Sequence, residues 1–129
     1  MADRAIVIKL RDTPSEAAYI FSCASDGTGE SAAAKIDISA IVMAATRVRI
    51  KKLAWAISGQ MTAELLFDHN TDDSAGILAG SGHMDENNMA PILDPASAGG
   101  AGDILLTSKV TTATVGQGYW IYIEIAKVA

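Results

Sequence analysis

Apolar residues along this chain recur at every second position far more clearly than at every third or fourth. Side chains of a strand alternate between two faces, so this period predicts strands. Ile6, Ile8 and Leu10 alternate with Val7, Lys9 and Arg11, which predicts a half-buried strand. Pro14 breaks the chain, and Tyr19, Ile20 and Phe21 mark a second strand over 17–22. Asp26-Gly27-Thr28-Gly29 reads as a turn, since glycine supplies positive φ and aspartate bonds the following backbone. Lys35-Ile36-Asp37-Ile38 alternates again, and 40–46 is the one stretch that leans helical, as a single short turn.

Residues 47–58 are more informative. Val48 and Ile50 are apolar at even positions, whereas Leu53, Trp55 and Ile57 are apolar at odd ones. A continuous strand keeps one parity, so a β-bulge at Lys51-Lys52, or a bend between two strands, has to switch the faces. Gly59 then marks a turn. Met61, Ala63, Leu65 and Phe67 alternate with Gln60, Thr62 and Glu64, followed by a polar loop over 68–73 and a short strand around Ile77 and Leu78. Residues 80–102 contain five Gly and two Pro with almost no alternation. A loop longer than ~12–15 residues is expected to be functional or ordered by contacts. Strands return at 104–110 and, after a turn at 115–118, at 119–128. In the last, Tyr119, Ile121, Ile123 and Ile125 take one face, and Trp120, Tyr122 and Glu124 the other. The expected architecture is all-β: an antiparallel sandwich or jelly roll of about eight short strands with one long loop, forming one domain over 1–129.

The formal charge of −5 disfavours nucleic acid and anionic membranes as partners. It is uneven: residues 1–59 carry +2 and residues 60–129 carry −7. Kept apart by the fold, two such halves would steer contacts; scattered, they form an ordinary solvated surface. No apolar run approaches the ~20 residues of a membrane span, and no secretory leader is legible, so synthesis in the cytoplasm is expected. Cys23 is the single cysteine and reads as a small buried hydrophobe.

Candidate chemistry is sparse. Asp68-His69-Asn70-Thr71-Asp72-Asp73 opens like a calcium loop, but Asp73 stands where that loop needs glycine and Ala79 where it needs a closing glutamate. Asp and Asn capping a solvated turn is the better reading. His69 and His83, with Asp85, fall short of a zinc or cupin-type ligand set, so no metal or other cofactor is expected. No nucleophile elbow, P-loop or dinucleotide fingerprint occurs, and the expectation is a non-enzyme. Arg47, Arg49 and Lys51, with Lys52 adjacent, are a candidate docking stripe for an acidic partner; the alternative is a solvated strand face whose charges deter edge pairing. Trp120 and Tyr122, turned away from the core, are the candidate oligomer interface; the alternative is that a loop or the N-terminal segment folds over them within one subunit.

Several segments together resemble small β-rich decoration (cement) proteins of tailed bacteriophages. They are Lys35-Ile36-Asp37-Ile38-Ser39-Ala40, Val48-Arg49-Ile50-Lys51-Lys52-Leu53, Leu65-Leu66-Phe67-Asp68 leading into Thr71-Asp72-Asp73, residues 80–85, the run Asp94-Pro95-Ala96-Ser97-Ala98-Gly99-Gly100-Ala101-Gly102-Asp103-Ile104-Leu105-Leu106-Thr107, and the closing Tyr-Ile-Glu-Ile. The order and spacing of these segments, over 17–128, carry the similarity. The resemblance implies a jelly-roll virion protein on the capsid surface that binds the major capsid protein and associates with itself, most often as a trimer. Two further classes stay open: a carbohydrate- or host-surface-binding sandwich, and a small coat protein.

Overall fold

The computed structural model describes residues 4–24, 32–38, 47–59, 61–85, 92–94, 103–110 and 118–128, with backbone alone at 4, 5, 47, 110 and 128. Ten strands follow in order: β1 (Arg4–Asp12), β2 (Glu16–Ala24), β3 (Ala33–Ile36), β4 (Arg47–Ile57), β5 (Met61–Phe67), β6 (Asp73–Leu78), β7 (Ser81–Asp85), β8 (Ile92–Leu93), β9 (Ile104–Val110) and β10 (Gly118–Val128). No helix occurs among the described residues.

The strands form two antiparallel sheets. One runs β1-β2-β10-β4-β7, with β8 also on β4; the other runs β3-β9-β5-β6. The pairs are nested: β2 with β10, β3 with β9, β4 with β7, β5 with β6. One long antiparallel ribbon folded over on itself generates this order, which is the connectivity of a jelly roll. It also interleaves the two halves of the chain, since β10 lies between β2 and β4 and β9 lies between β3 and β5. The +2 and −7 halves therefore do not occupy separate faces.

The core lies between the sheets. Phe21, Ile50, Met61, Leu65, Phe67, Ile121, Ile123 and Ile125 are all among its fully buried side chains. The alternation in β5 is complete, with Met61, Ala63, Leu65 and Phe67 inward. Cys23 is buried, as expected. In β4 the parity change is a bulge: Glu124 pairs with Lys52 and Ile125 with Ile50, which leaves Lys51 as the extra residue. Val48 and Ile50 before it and Leu53 and Ile57 after it are consequently all buried.

Two expectations need correction. Residues 80–102 are not one irregular loop, since β7 and β8 lie within them on the edge of β4. β7 has weak apolar alternation because the indole of Trp55 occupies its inward position at Gly82; a Cβ there would stand 2.6 Å from Trp55 Cζ2. The first strand exists but is not half-buried: Ile6, Val7, Ile8 and Leu10 are all exposed, because β1 is an edge strand that no described segment covers on either face. The turns at 26–29 and 115–117 and the helical stretch at 40–46 lie outside the described residues.

Candidate interaction surface

The pairing registers align outward-facing residues in rows across the larger sheet. Ile6, Ser22, Trp120, Ala56 and Ser81 form one row, on β1, β2, β10, β4 and β7. Ile8, Ile20, Tyr122, Ala54 and His83 form the next. A third, Arg11, Ala18, Glu124, Lys52 and Asp85, is charged. The first two rows carry large apolar side chains across β1, β2 and β10, with alanines on β4 and the polar Ser81 and His83 on β7, and the third row rims this field. Of the seven exposed large apolar side chains among the described residues, Ile6, Ile8 and Trp120 lie on these rows, whereas Val7, opposite the buried Phe21, has the other parity. Trp120 is 42% exposed.

The outer face of the smaller sheet is polar at its centre. Thr62 pairs with Lys109 and Glu64 with Thr107, and the Ser74 hydroxyl donates to Glu64 at 2.7 Å. The contrast singles out the larger sheet as the face with unspent apolar area.

The charged rim is internally matched. Arg11 Nη2 lies 2.9 Å from Glu124 Oε1 and 3.5 Å from Glu16 Oε1. Lys51 Nζ is bonded to Glu16 Oε2. Lys52 Nζ lies 3.7 Å from Asp85 and 3.9 Å from Glu124. Lys51 holds Glu16 below the usual carboxylate range, chiefly through that hydrogen bond. The Tyr122 hydroxyl donates to Glu124 Oε2 at 2.8 Å, and burial followed by this bond raises its pKa. Among the described residues, Arg11, Lys51 and Lys52 thus meet Glu16, Asp85 and Glu124, three cations with three carboxylates, on a chain of −5.

This geometry bears on the candidate stripe. The bulge turns Lys51 and Lys52 toward the same face as Arg49, and both lysines engage carboxylates of their own sheet. The side chain of Arg47 lies outside the described residues. Trp120 and Tyr122 share the outer face, as the alternation of β10 requires.

His83 and Asp85 sit on this outer face, in β7. His69 is elsewhere, in the turn after β5 of the other sheet, and is buried rather than solvated. Its Nε2 lies 2.7 Å from Asp94 Oδ1. The Asp72 carboxylate accepts from the His69 backbone N–H at 3.3 Å, so it caps its own turn. No sequence signal links His69 to Asp94, which are 25 residues apart.

No family model, no curated protein and no solved structure matches this chain. The class that the fold defines is an antiparallel jelly-roll sandwich with one apolar outer face.

Proposed function

We propose that this protein is a non-catalytic structural module that associates with copies of itself through the outer face of its larger sheet and decorates the capsid of a tailed bacteriophage. The observation that carries the reading is the apolar field of Ile6, Ile8, Ile20, Trp120 and Tyr122, bordered by these paired cations and carboxylates. A chain of −5 repels its own copies, and that repulsion is weakest where cations and carboxylates cancel. Tyrosine and tryptophan suit such a face because they bury large areas and keep a polar tip satisfied. The resemblance to decoration proteins supplies the partner, the major capsid protein, and favours a trimer on the capsid surface. A cement role asks for a rigid scaffold and many repeated weak contacts rather than an active site.

The test is to mix purified protein with capsids lacking it. Binding at a fixed ratio to the coat protein, with greater resistance of the shell to heat or osmotic shock, is the expected result. Shells equally robust with and without the protein would remove the cementing role.

A second reading has one observation in its favour. The exposed Trp120 stands beside Tyr122 and near the polar His83, an arrangement on which a sugar ring can stack. Quenching of tryptophan fluorescence by oligosaccharides, lost in Trp120→Ser, would favour this binding module instead.

A further inference from the structure

At one end of the sandwich β4, β6 and β9 begin and β3, β5 and β8 finish. Three side chains from separate segments converge there: His69 from the turn after β5, Asp73 from the first position of β6, and Asp94 from the residue after β8. His69 Nε2 lies 2.7 Å from Asp94 Oδ1 and 3.8 Å from Asp73 Oδ2. The three potential ligand atoms all fall within 4.8 Å of one another. The Asp94 N–H donates to Val48 O of β4 at 3.2 Å, and the Asp72 side chain, through Oδ1, accepts from the His69 N–H within its own turn. The side chains of His69 and Asp94 are 6% and 1% exposed.

A second observation is independent of this convergence. Oδ2 of Asp73 is sealed from solvent and accepts no hydrogen bond. A buried carboxylate oxygen without a donor is costly, and a cation beside it would offset that cost. The Asp103 carboxylate, which accepts from the Ile38 N–H at 3.1 Å, lies at this same end of the sandwich.

We propose that His69, Asp73 and Asp94 form a binding site for one divalent transition cation of the zinc class, which pins the β5–β6 turn to the segment after β8. Ligands at about 2.0–2.2 Å from a metal stand roughly 3–3.5 Å from one another. The separations of 2.7 and 3.8 Å bracket that range, so small side-chain movements complete the geometry. One imidazole with two carboxylates suits zinc or manganese better than calcium or magnesium, which prefer oxygen ligands throughout. The role is structural, and it stands or falls independently of the capsid.

The experiment uses the whole protein, stripped with a chelator and titrated at neutral pH with zinc chloride, with calcium chloride as control. Calorimetry should find one zinc per chain, and the melting temperature should rise with zinc and stay unchanged with calcium. Asp73→Asn, at a partly exposed position, should keep the fold and weaken zinc binding about tenfold or more; His69→Gln is the second variant. Absence of both heat and melting shift in the wild type would overturn the proposal, as would equal zinc binding by wild type and Asp73→Asn. So would a melting curve that ignores zinc but rises on mild acidification, because the cluster would then be a buried imidazolium held by two carboxylates.

Discussion

Trp120 and Ile6 project from the same face of the larger sheet, two strands apart and joined in one row through Ser22. Both remain substantially exposed, at 42% and 40%. The relationship comes from two different properties of the strands. In β10 the inward positions take tyrosine and isoleucine, so the tryptophan must face out. In β1 there is no inward side to speak of, because an edge strand that no described segment covers exposes apolar residues at either parity. Lys9 is the single charge between Ile6 and Leu10, a modest deterrent to edge pairing.

Leu65 tests the core. It is 1% exposed and pairs with Leu106 of β9 beneath the larger sheet. Leu65→Ala should cost about 2–5 kcal/mol, the lost transfer energy plus a cavity. Urea unfolding should show a lower midpoint with an unchanged slope. A cost below about 1 kcal/mol would place Leu65 outside a close-packed interior.

Lys127 ties the β1–β2 turn to the end of β10. Its Nζ lies 2.7 Å from Asp12 Oδ1 and donates to Thr13 O at 2.5 Å, with both charged side chains nearly buried at 5% and 6%. Lys127→Met leaves the Asp12 carboxylate in place without its nearest cation and should destabilise by about 3–5 kcal/mol. Adding Asp12→Leu should recover much of that loss, since apolar replacement of both partners removes the desolvation cost. Denaturant titration of the single and double variants decides; a double variant less stable than the single would contradict the argument.

Asp103 makes stability depend on pH in an unusual direction. Burial is the main reason its folded-state pKa exceeds 3.8, with Asp37 and Asp68 adding to it and the Ile38 N–H opposing. Stabilisation from its protonated form is complete below the unfolded pKa and lost as pH rises through the folded one. Glu16, shifted down by Lys51, acts oppositely: its contribution is present above its ordinary pKa and lost as pH falls. Asp103→Asn keeps an acceptor for Ile38 and sheds the charge. The variant should melt above the wild type at neutral pH, and the gap should close in strong acid. A lower melting temperature at neutral pH would show that the charge itself stabilises this end.

Much of the fold was legible in the residues, for reasons visible in particular strands. β5 and β10 each bury one full face, so their alternation is unbroken. The parity change in β4 required an extra residue near Lys51-Lys52, and Lys51 is that residue. β7 escaped notice because Gly82 yields its inward space to Trp55, and β8 because two residues carry no period. Exposure of β1 depends on which strand ends a sheet, a property of topology rather than of its own pattern. The candidate surface was half legible: alternation turned Trp120 and Tyr122 outward, but only the pairing registers join them to Ile6, Ile8 and Ile20. The His69–Asp94 contact depends on β8 and could not be anticipated without it.

The central claim is that the outer face of the larger sheet joins copies of this chain. Light scattering of the wild type and of Trp120→Ser/Tyr122→Ser, across a concentration series, measures it directly. A wild-type mass that is a multiple of 13.4 kDa, three-fold for the proposed trimer, should fall to the monomer in a double variant whose circular dichroism remains native. A folded double variant that keeps the wild-type mass, or a wild type that is monomeric at every concentration, would contradict it.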